Sequence, residues 1–119
     1  MPEWKEVMIT KNYVISFKRI GEGILMVTPS GDLSEFDAEK VHSVLTKVYS
    51  QTFKPGQQFV EVENLSFVHG KPKRDERKKL VQLKKNVPEE YRGYIVTGAS
   101  FTMKALLKSS FVSKARLGF

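Results

Sequence analysis

A run of consecutive apolar residues at positions 24–28 (ILMVT) constrains the fold more than any other feature of this chain. Neighbouring residues of a strand point to opposite faces, so such a run is typical of a strand covered on both faces. Residues 13–20 (YVISFKRI) precede it with the alternation of a half-buried strand, and Gly21 and Gly23 tolerate the positive φ of a hairpin turn. We therefore expect a hairpin that leads into a central strand.

An amphipathic helix is expected after this strand. Residues 34–37 (SEFD) fit a capping box, in which a serine hydroxyl and an acidic side chain satisfy free amides of the first helical turn. Apolar residues at helical spacing then follow, namely Ala38, Val41, Val44, Leu45 and Val48. Together these features predict a helix over residues 35–50.

The patterns of strand and helix then recur. Apolar residues within positions 59–68 predict a strand with an irregular middle at residues 63–64, and residues 69–72 (HGKP) predict a loop. A second helix is expected next, because acidic residues at 75–76 and lysines at 84–85 complement its dipole. Its predicted buried side consists of Leu80, Val81 and Leu83.

The last predicted elements are a short strand over residues 94–97 and a third helix that starts at Ser100. The order is therefore β-β-α-β-α-β-α, which implies right-handed crossovers and an α/β fold with a mostly parallel central sheet and helices packed on it. With 119 residues, 40% of them apolar, the chain can build one core, so we expect residues 1–119 to form a single domain. Its apolar end, at Leu117 and Phe119, hints at the N-terminal part of a longer protein.

Composition excludes several classes of protein. The chain has no run of about 18 uncharged apolar residues and does not begin like a secretory leader, so we predict a cytoplasmic protein without a membrane span. It has no cysteine, which rules out disulfides, thiolate zinc sites and thiol catalysis. The two histidines, His42 and His69, have no partner at ligand spacing, so we predict no metal site and no cofactor.

The sequence offers little support for catalysis. Glu61 and Glu63 share one face of the predicted strand, where two like charges can raise a carboxyl pKa. We expect that face to be an exposed face or an edge, where the two residues only keep the strand soluble. No serine has a base in a recognisable motif. We therefore predict no catalytic residues and a protein that is not an enzyme.

Positive charge is concentrated in one segment. Residues 71–85 hold eight basic and two acidic residues, so they supply six of the seven net positive charges of the chain. Such a surplus exceeds what pairs within a helix neutralise, and it predicts a binding surface for a partner. We define the recognition surface as His69, Lys71, Lys73, Arg74, Arg77 and Lys78.

A second, smaller binding site is predicted at a junction of strand and helix. Thr97, Gly98 and Ser100 lie where backbone amides can hold an anion, although an ordinary capped helix start explains the same residues. His69 alone could also act as a pH sensor, or it could be an ordinary loop residue.

Three segments resemble parts of a known family. Residues 24–33 (ILMVTPSGDL), 64–68 (NLSFV) and 101–111 (FTMKALLKSSF) are similar, in this order, to the STAS domain, which sulphate transporters and bacterial anti-sigma-factor antagonists share. At the phosphoacceptor motif of the antagonists, D-S-x-G, this chain has HGKP at residues 69–72 and no hydroxyl. The resemblance implies a divergent member without the serine phosphoswitch. It further implies a non-enzymatic sensory or input module of a bacterial signalling protein such as a histidine kinase.

Several partners are compatible with these features. A protein partner or an adjacent domain of the same parent protein is favoured, and a small anionic or apolar ligand between helices and sheet is a further candidate. Sequence-independent binding of nucleic acid through the basic helix, residues 73–85, is the alternative. It is less favoured because residues 71–85 include no aromatic side chain on which a base could stack. A homodimer is also compatible with these features.

Overall fold

The computed structural model of the protein describes residues 5–98, which form a mixed β-sheet with two α-helices. The six strands in this range are β1 (Lys5–Thr10), β2 (Tyr13–Gly21), β3 (Ile24–Asp32), β4 (Phe59–Asn64), β5 (Phe67–His69) and β6 (Tyr91–Thr97). The helices are α1 (Ala38–Thr52) and α2 (Arg74–Leu83), and 3-10 turns lie at Leu33–Glu35 and Lys84–Asn86. The predicted α/β class is confirmed.

The strand order is β1-β2-β3-β4-β6, and β5 pairs with the end of β3. The expectation of a mostly parallel sheet is wrong. β1–β2 and β2–β3 are antiparallel, and β2–β3 is the longest ladder, whereas β3–β4, β3–β5 and β4–β6 are parallel. The reason is the length of the connections: the tight turns that join the first three strands allow only antiparallel neighbours, while α1 and α2 supply the crossovers that parallel strands need.

The predicted order of elements is also incomplete. Strand β1 was not predicted, and the irregular strand over residues 59–68 is in fact two strands, β4 and β5, which pair with different parts of the sheet. The predicted third helix from Ser100 lies outside the described residues, as does the resemblance over residues 101–111.

Helix α1 begins later than the sequence predicts. Its N-cap is Asp37, whose Oδ1 accepts a hydrogen bond from the Lys40 amide at 3.1 Å. Asp32 separately caps the preceding 3-10 turn, because its Oδ1 accepts from the Ser34 amide at 2.9 Å. The capping box over residues 34–37 is therefore wrong: two aspartates cap two separate turns, and Ser34 caps neither.

Both helices cover the same face of the sheet, and the hydrophobic core lies between this face and the helices. Buried and half-buried residues alternate along β2 up to Phe17 and along β3 up to Pro29, so each strand has one covered face. The expectation that residues 24–28 are covered on both faces is therefore wrong for the described part of the chain, where Ile24, Met26 and Thr28 are only half-buried.

Helix α2 contributes no fully buried residue, so the predicted buried side, Leu80, Val81 and Leu83, is only half-buried. Within residues 5–98, neither helix combines the length and the apolar character needed to cross a membrane.

Candidate functional site

The recognition surface occupies one strand end, one loop and the first turns of one helix. Strand β5 runs parallel to β3 and ends at His69, so this histidine lies at the carboxyl end of a parallel strand, as predicted. Residues 70–73 lead directly into α2, which starts at Arg74. The loop and helix residues of the recognition surface therefore form one continuous segment of the chain, from His69 to Lys78.

The root of this loop is held by the end of β3. His69 lies opposite Asp32 in the ladder, and its Nδ1 is 3.3 Å from the Gly31 carbonyl oxygen, to which a protonated Nδ1 donates. Gly70 has a φ of +71°, and a Cβ there would lie 3.1 Å from an Asp32 carboxylate oxygen. The Ser34 amide, and to a smaller extent His69, lower the pKa of Asp32. An ionised Asp32 thus stands beside the loop.

Four cations of the recognition surface are exposed. Within residues 5–98, no carboxylate lies within ion-pair distance of them: Lys71, Lys73, Arg74 and Lys78. His69 is exposed as well. Arg77 differs, because it is half-buried and its Nε is buried without a hydrogen-bond partner among the described residues. The four exposed cations therefore present their charge more fully to solvent than the half-buried Arg77 does.

Glu76 connects α2 to the start of α1. One of its oxygens accepts a hydrogen bond from the Ala38 amide at 2.9 Å, and the other lies 3.2 Å from the Lys79 ammonium. Lys79 is also 3.9 Å from Glu39, and its pKa is raised first by the hydrogen bond to Glu76. Lys79 therefore keeps its proton, and the carboxylates of Glu76 and Glu39 compensate its positive charge. We do not count it among the uncompensated cations.

The predicted anion site at residues 97–100 lies only partly in the described range. Thr97 ends β6, and its hydroxyl donates to the Glu63 carbonyl oxygen at 3.4 Å. Gly98 has a φ of +68°, and a Cβ there would clash with the hydroxyl of Ser66. Ser100 lies outside the described residues. Anion binding by Thr97, Gly98 and Ser100 stays a prediction.

A carboxylate that the sequence places on an exposed surface lies in the centre of the protein. Glu61 of β4 has 0% exposure, and neither of its oxygens has a hydrogen-bond partner in the described residues. The expectation of an exposed face or an edge is wrong because β4 is an interior strand, between β3 and β6. A signal was present in the sequence: Phe59, Glu61 and Glu63 alternate, so both carboxylates share a face with a large aromatic residue.

Burial and like charge act together on Glu61. Burial first, and then the Glu63 carboxylate, raise the pKa of Glu61 to about 8, while the Lys84 ammonium acts in the opposite direction. At neutral pH this interior carboxyl is therefore mostly protonated.

Lys84 and three tyrosines surround the two carboxyl groups. The Lys84 ammonium is 4.7 Å from the ring centroid of Tyr94 and 5.5 Å from that of Tyr91, which are cation–π distances. Burial first, and then the two glutamates, raise the pKa of Tyr91 and Tyr94, and burial followed by Glu63 raises that of Tyr13. We define the buried acidic cluster as Glu61, Glu63, Tyr13, Tyr91, Tyr94 and Lys84.

A cavity of about 70 Å³ lies beside this cluster, between the sheet and the helices. Glu63, Lys84 and Tyr94 line one side of it, and apolar side chains of β2, β3 and both helices line most of the remainder. Within residues 5–98, no group of histidines and carboxylates has the arrangement of a metal site.

Comparison with known proteins adds no relative: no protein-family model matches this chain, and no curated protein is significantly similar to it.

Proposed function

We propose that this chain is a non-enzymatic, STAS-like signalling domain whose recognition surface docks an acidic face of a protein partner or of an adjacent domain. It would serve as a regulatory input module of a bacterial signalling protein such as a histidine kinase. The main support is the group of exposed cations at Lys71, Lys73, Arg74 and Lys78, for which residues 5–98 supply no carboxylate partner. Complementary charge of this kind accelerates association and selects partners.

The frame that presents these charges is ordered by specific contacts. The end of β3 holds the loop root at His69, and Glu76 binds the first amide of α1. Charges on such a frame lose less conformational freedom on binding than charges on a free tail. This favours docking of a shaped protein face.

Nucleic acid is the weaker candidate for the same surface. None of the residues of the recognition surface is aromatic, so it offers no platform for stacking a base.

Charge reversal at two exposed positions tests the proposal. Arg74 and Lys78 are one helical turn apart, and the double variant Arg74→Glu/Lys78→Glu should weaken binding of the physiological partner at least tenfold. The matched control is Lys47→Glu/Lys54→Glu, which makes the same change of net charge at two exposed lysines elsewhere. Proteins captured from cells that encode this chain are identified, purified and titrated against the wild-type protein and both variants.

Equal affinity of a purified partner for both double variants would exclude docking through the recognition surface. A 30-mer of DNA or RNA is titrated in parallel at about 50 mM salt. If the nucleic acid binds, and only the Arg74/Lys78 variant loses that binding, the surface recognises phosphates and the proposal of a protein partner fails.

A further inference from the structure

The face of the sheet opposite α1 and α2 carries most of the exposed large apolar residues of the protein. Of the four such side chains within residues 5–98, three lie there and are between 37% and 63% exposed: Met8, Phe67 and Ile95. We define this side of the sheet as the open face. We propose that it docks the open face of a second copy of this chain, which gives a two-fold symmetric dimer.

The alternation of the strands places these residues on the open face. Ile95 lies between buried residues of β6, and Met8 lies between core-facing residues of β1. Phe67 precedes Val68, which packs against the core. Because neighbouring residues of a strand point to opposite faces, all three side chains point away from the helices.

Two mainly apolar rows cross the open face at right angles to the strands. Between these rows, Ser16 of β2 pairs with Thr28 of β3, and both are polar without charge. Contiguous exposed apolar surface of this kind is typical of an interaction site. Each row joins direct partners in the ladders: Met26, Val62 and Ile95 in the first, and Met8, Val14, Ser30 and Phe67 in the second.

The shape of a twisted sheet favours an identical sheet as its partner. Two sheets pack face to face at about −30° because both have the same twist, and a second copy has this twist by identity. Identical faces related by a two-fold axis form a closed dimer. Helix α2 lies on the other side of the sheet, so the dimer leaves Arg74 and Lys78 of the recognition surface accessible.

The charges on the open face also favour a second copy over an acidic partner. Glu6 pairs with Ser16 on this face and Lys18 pairs with Met26, so two charges of opposite sign lie on adjacent strands. They cancel, although the whole chain has a net charge of +7. Two cationic copies can therefore approach through this face with the least repulsion, whereas an acidic partner is attracted to the recognition surface.

The size of the open face fits a weak dimer. Five strands at a spacing of about 4.8 Å, each with roughly seven residues at about 3.3 Å, give about 550 Å² per copy, or about 1,100 Å² for the pair. This area is at the low end of specific protein interfaces. We therefore expect a dissociation constant of about 10 µM.

Sedimentation equilibrium of the complete chain can measure this association. Over a range of about 1 to 300 µM, the mass should rise from that of one chain to that of two. Raising the salt concentration from about 50 to about 500 mM should leave the dimer unchanged or strengthen it, because salt screens the repulsion between two cationic copies.

Lysines placed in both apolar rows test the location of the interface. Phe67→Lys/Ile95→Lys should weaken dimerisation at least tenfold, and because both residues are exposed, the circular dichroism spectrum should not change. The matched control is Ser43→Lys/Gln82→Lys, which makes the same change of net charge at exposed positions of α1 and α2 and should dimerise like the wild type.

A spin label can show directly which faces meet. The chain contains no cysteine, so a single introduced cysteine carries the only label. Protein with a nitroxide at Glu6→Cys, on the rim of the open face, is mixed with methyl-labelled wild-type protein. The methyl groups of Met26, Val62 and Ile95 should then broaden, whereas a nitroxide at Ser43→Cys, on α1, should leave them unchanged.

Three results would overturn the proposal. The first is a chain that stays monomeric at about 300 µM, which would mean that residues 99–119 or a different protein covers the open face. The second is a dimer that Phe67→Lys/Ile95→Lys does not weaken. The third is a dimer that Arg74→Glu/Lys78→Glu or high salt dissociates, which would place the contact at the recognition surface. The proposal does not depend on the docking function, and the first two results leave that function intact.

Discussion

Glu61 shows how one residue can contradict the pattern in which it lies. An isolated charged carboxylate is very costly inside a protein, and such a group normally escapes the cost by holding its proton. Burial and the neighbouring Glu63 bring about this state in Glu61. The residue therefore links the stability of the interior to pH.

The sign of that link follows from the two states of the chain. The pKa of Glu61 is about 8 when folded, against an ordinary value of 4.5, so between these pH values the folded protein holds a proton that the unfolded chain releases. The free energy of unfolding should consequently fall as pH rises, by up to about 1.4 kcal/mol per pH unit, with the full contribution present only below the ordinary value. Urea unfolding at pH 5, 7 and 9 measures it.

Glu61→Gln should remove this slope and be more stable than the wild-type protein at pH 9. The difference between the two proteins isolates Glu61 from other titrating groups such as His42, whose pKa is lowered by burial and by Lys84. Glu22→Gln, in the exposed turn between β2 and β3, is the matched control and should retain the wild-type slope. If the free energies of unfolding of the wild-type protein and of Glu61→Gln changed with pH in parallel, the pKa of Glu61 would not be raised in the folded protein.

At the scale of elements, α2 is held at its ends and not by a buried face. Its ten residues are too few for a stable isolated helix, and none of them is fully buried. Glu76 binds the start of α1 in its first turn, and Lys84 lies over Tyr91 and Tyr94 just after its last turn. The position of the recognition surface therefore depends on these two polar anchors.

Removal of the first anchor should loosen both helix starts. Glu76→Ala leaves the Ala38 amide without its acceptor and Lys79 without its nearer carboxylate, so the free energy of unfolding should fall by about 1–2 kcal/mol. Hydrogen exchange should accelerate at the first amides of α1 and throughout α2. Asp75→Ala, at an exposed carboxylate of the same turn, is the control. If both variants lost the same free energy of unfolding, the effect of Glu76 would be only that of an acidic residue on the helix dipole, and not that of its contact with α1.

At the scale of the whole molecule, an aromatic cluster joins α1 to the sheet. The ring of Phe59 lies 4.5 Å from that of Phe53, 4.7 Å from that of Tyr49 and 5.7 Å from that of Tyr91. These rings belong to α1, its C-cap and two parallel strands. The residues come from distant parts of the chain, so unfolding of one element should remove support from the others.

Phe59→Ala should therefore destabilise the entire protein, by about 3–5 kcal/mol, in a single cooperative transition. Phe67→Ala is a control of the same residue type, because Phe67 is 61% exposed, and it should change stability by less than about 1 kcal/mol. Far-UV and near-UV circular dichroism in urea would follow both variants. A Phe59→Ala transition that loses tertiary signal before secondary structure would contradict a single cooperative unit.

The type and approximate place of most elements could be predicted from the sequence. The hairpin before β3, helix α1 and the position of His69 at a strand end follow from local periodicity and turn residues, which act over a few positions. The same locality explains the errors at helix starts. Asp32 and Asp37 both resemble caps, as does Ser34, and only the path of the chain between β3 and α1 selects among them.

By itself, the sequence determined which residues share a face: Phe59, Glu61 and Glu63 on one strand, and the cations Arg74 and Lys78 on one helix. Only the tertiary structure decided which faces are covered. Strand order depends on crossovers between residues far apart in the chain, and that order made β4 an interior strand and buried Glu61. It also brought Lys84, one of the predicted surface cations of the basic helix, over two tyrosine rings, because β6 follows α2 back into the sheet beside β4.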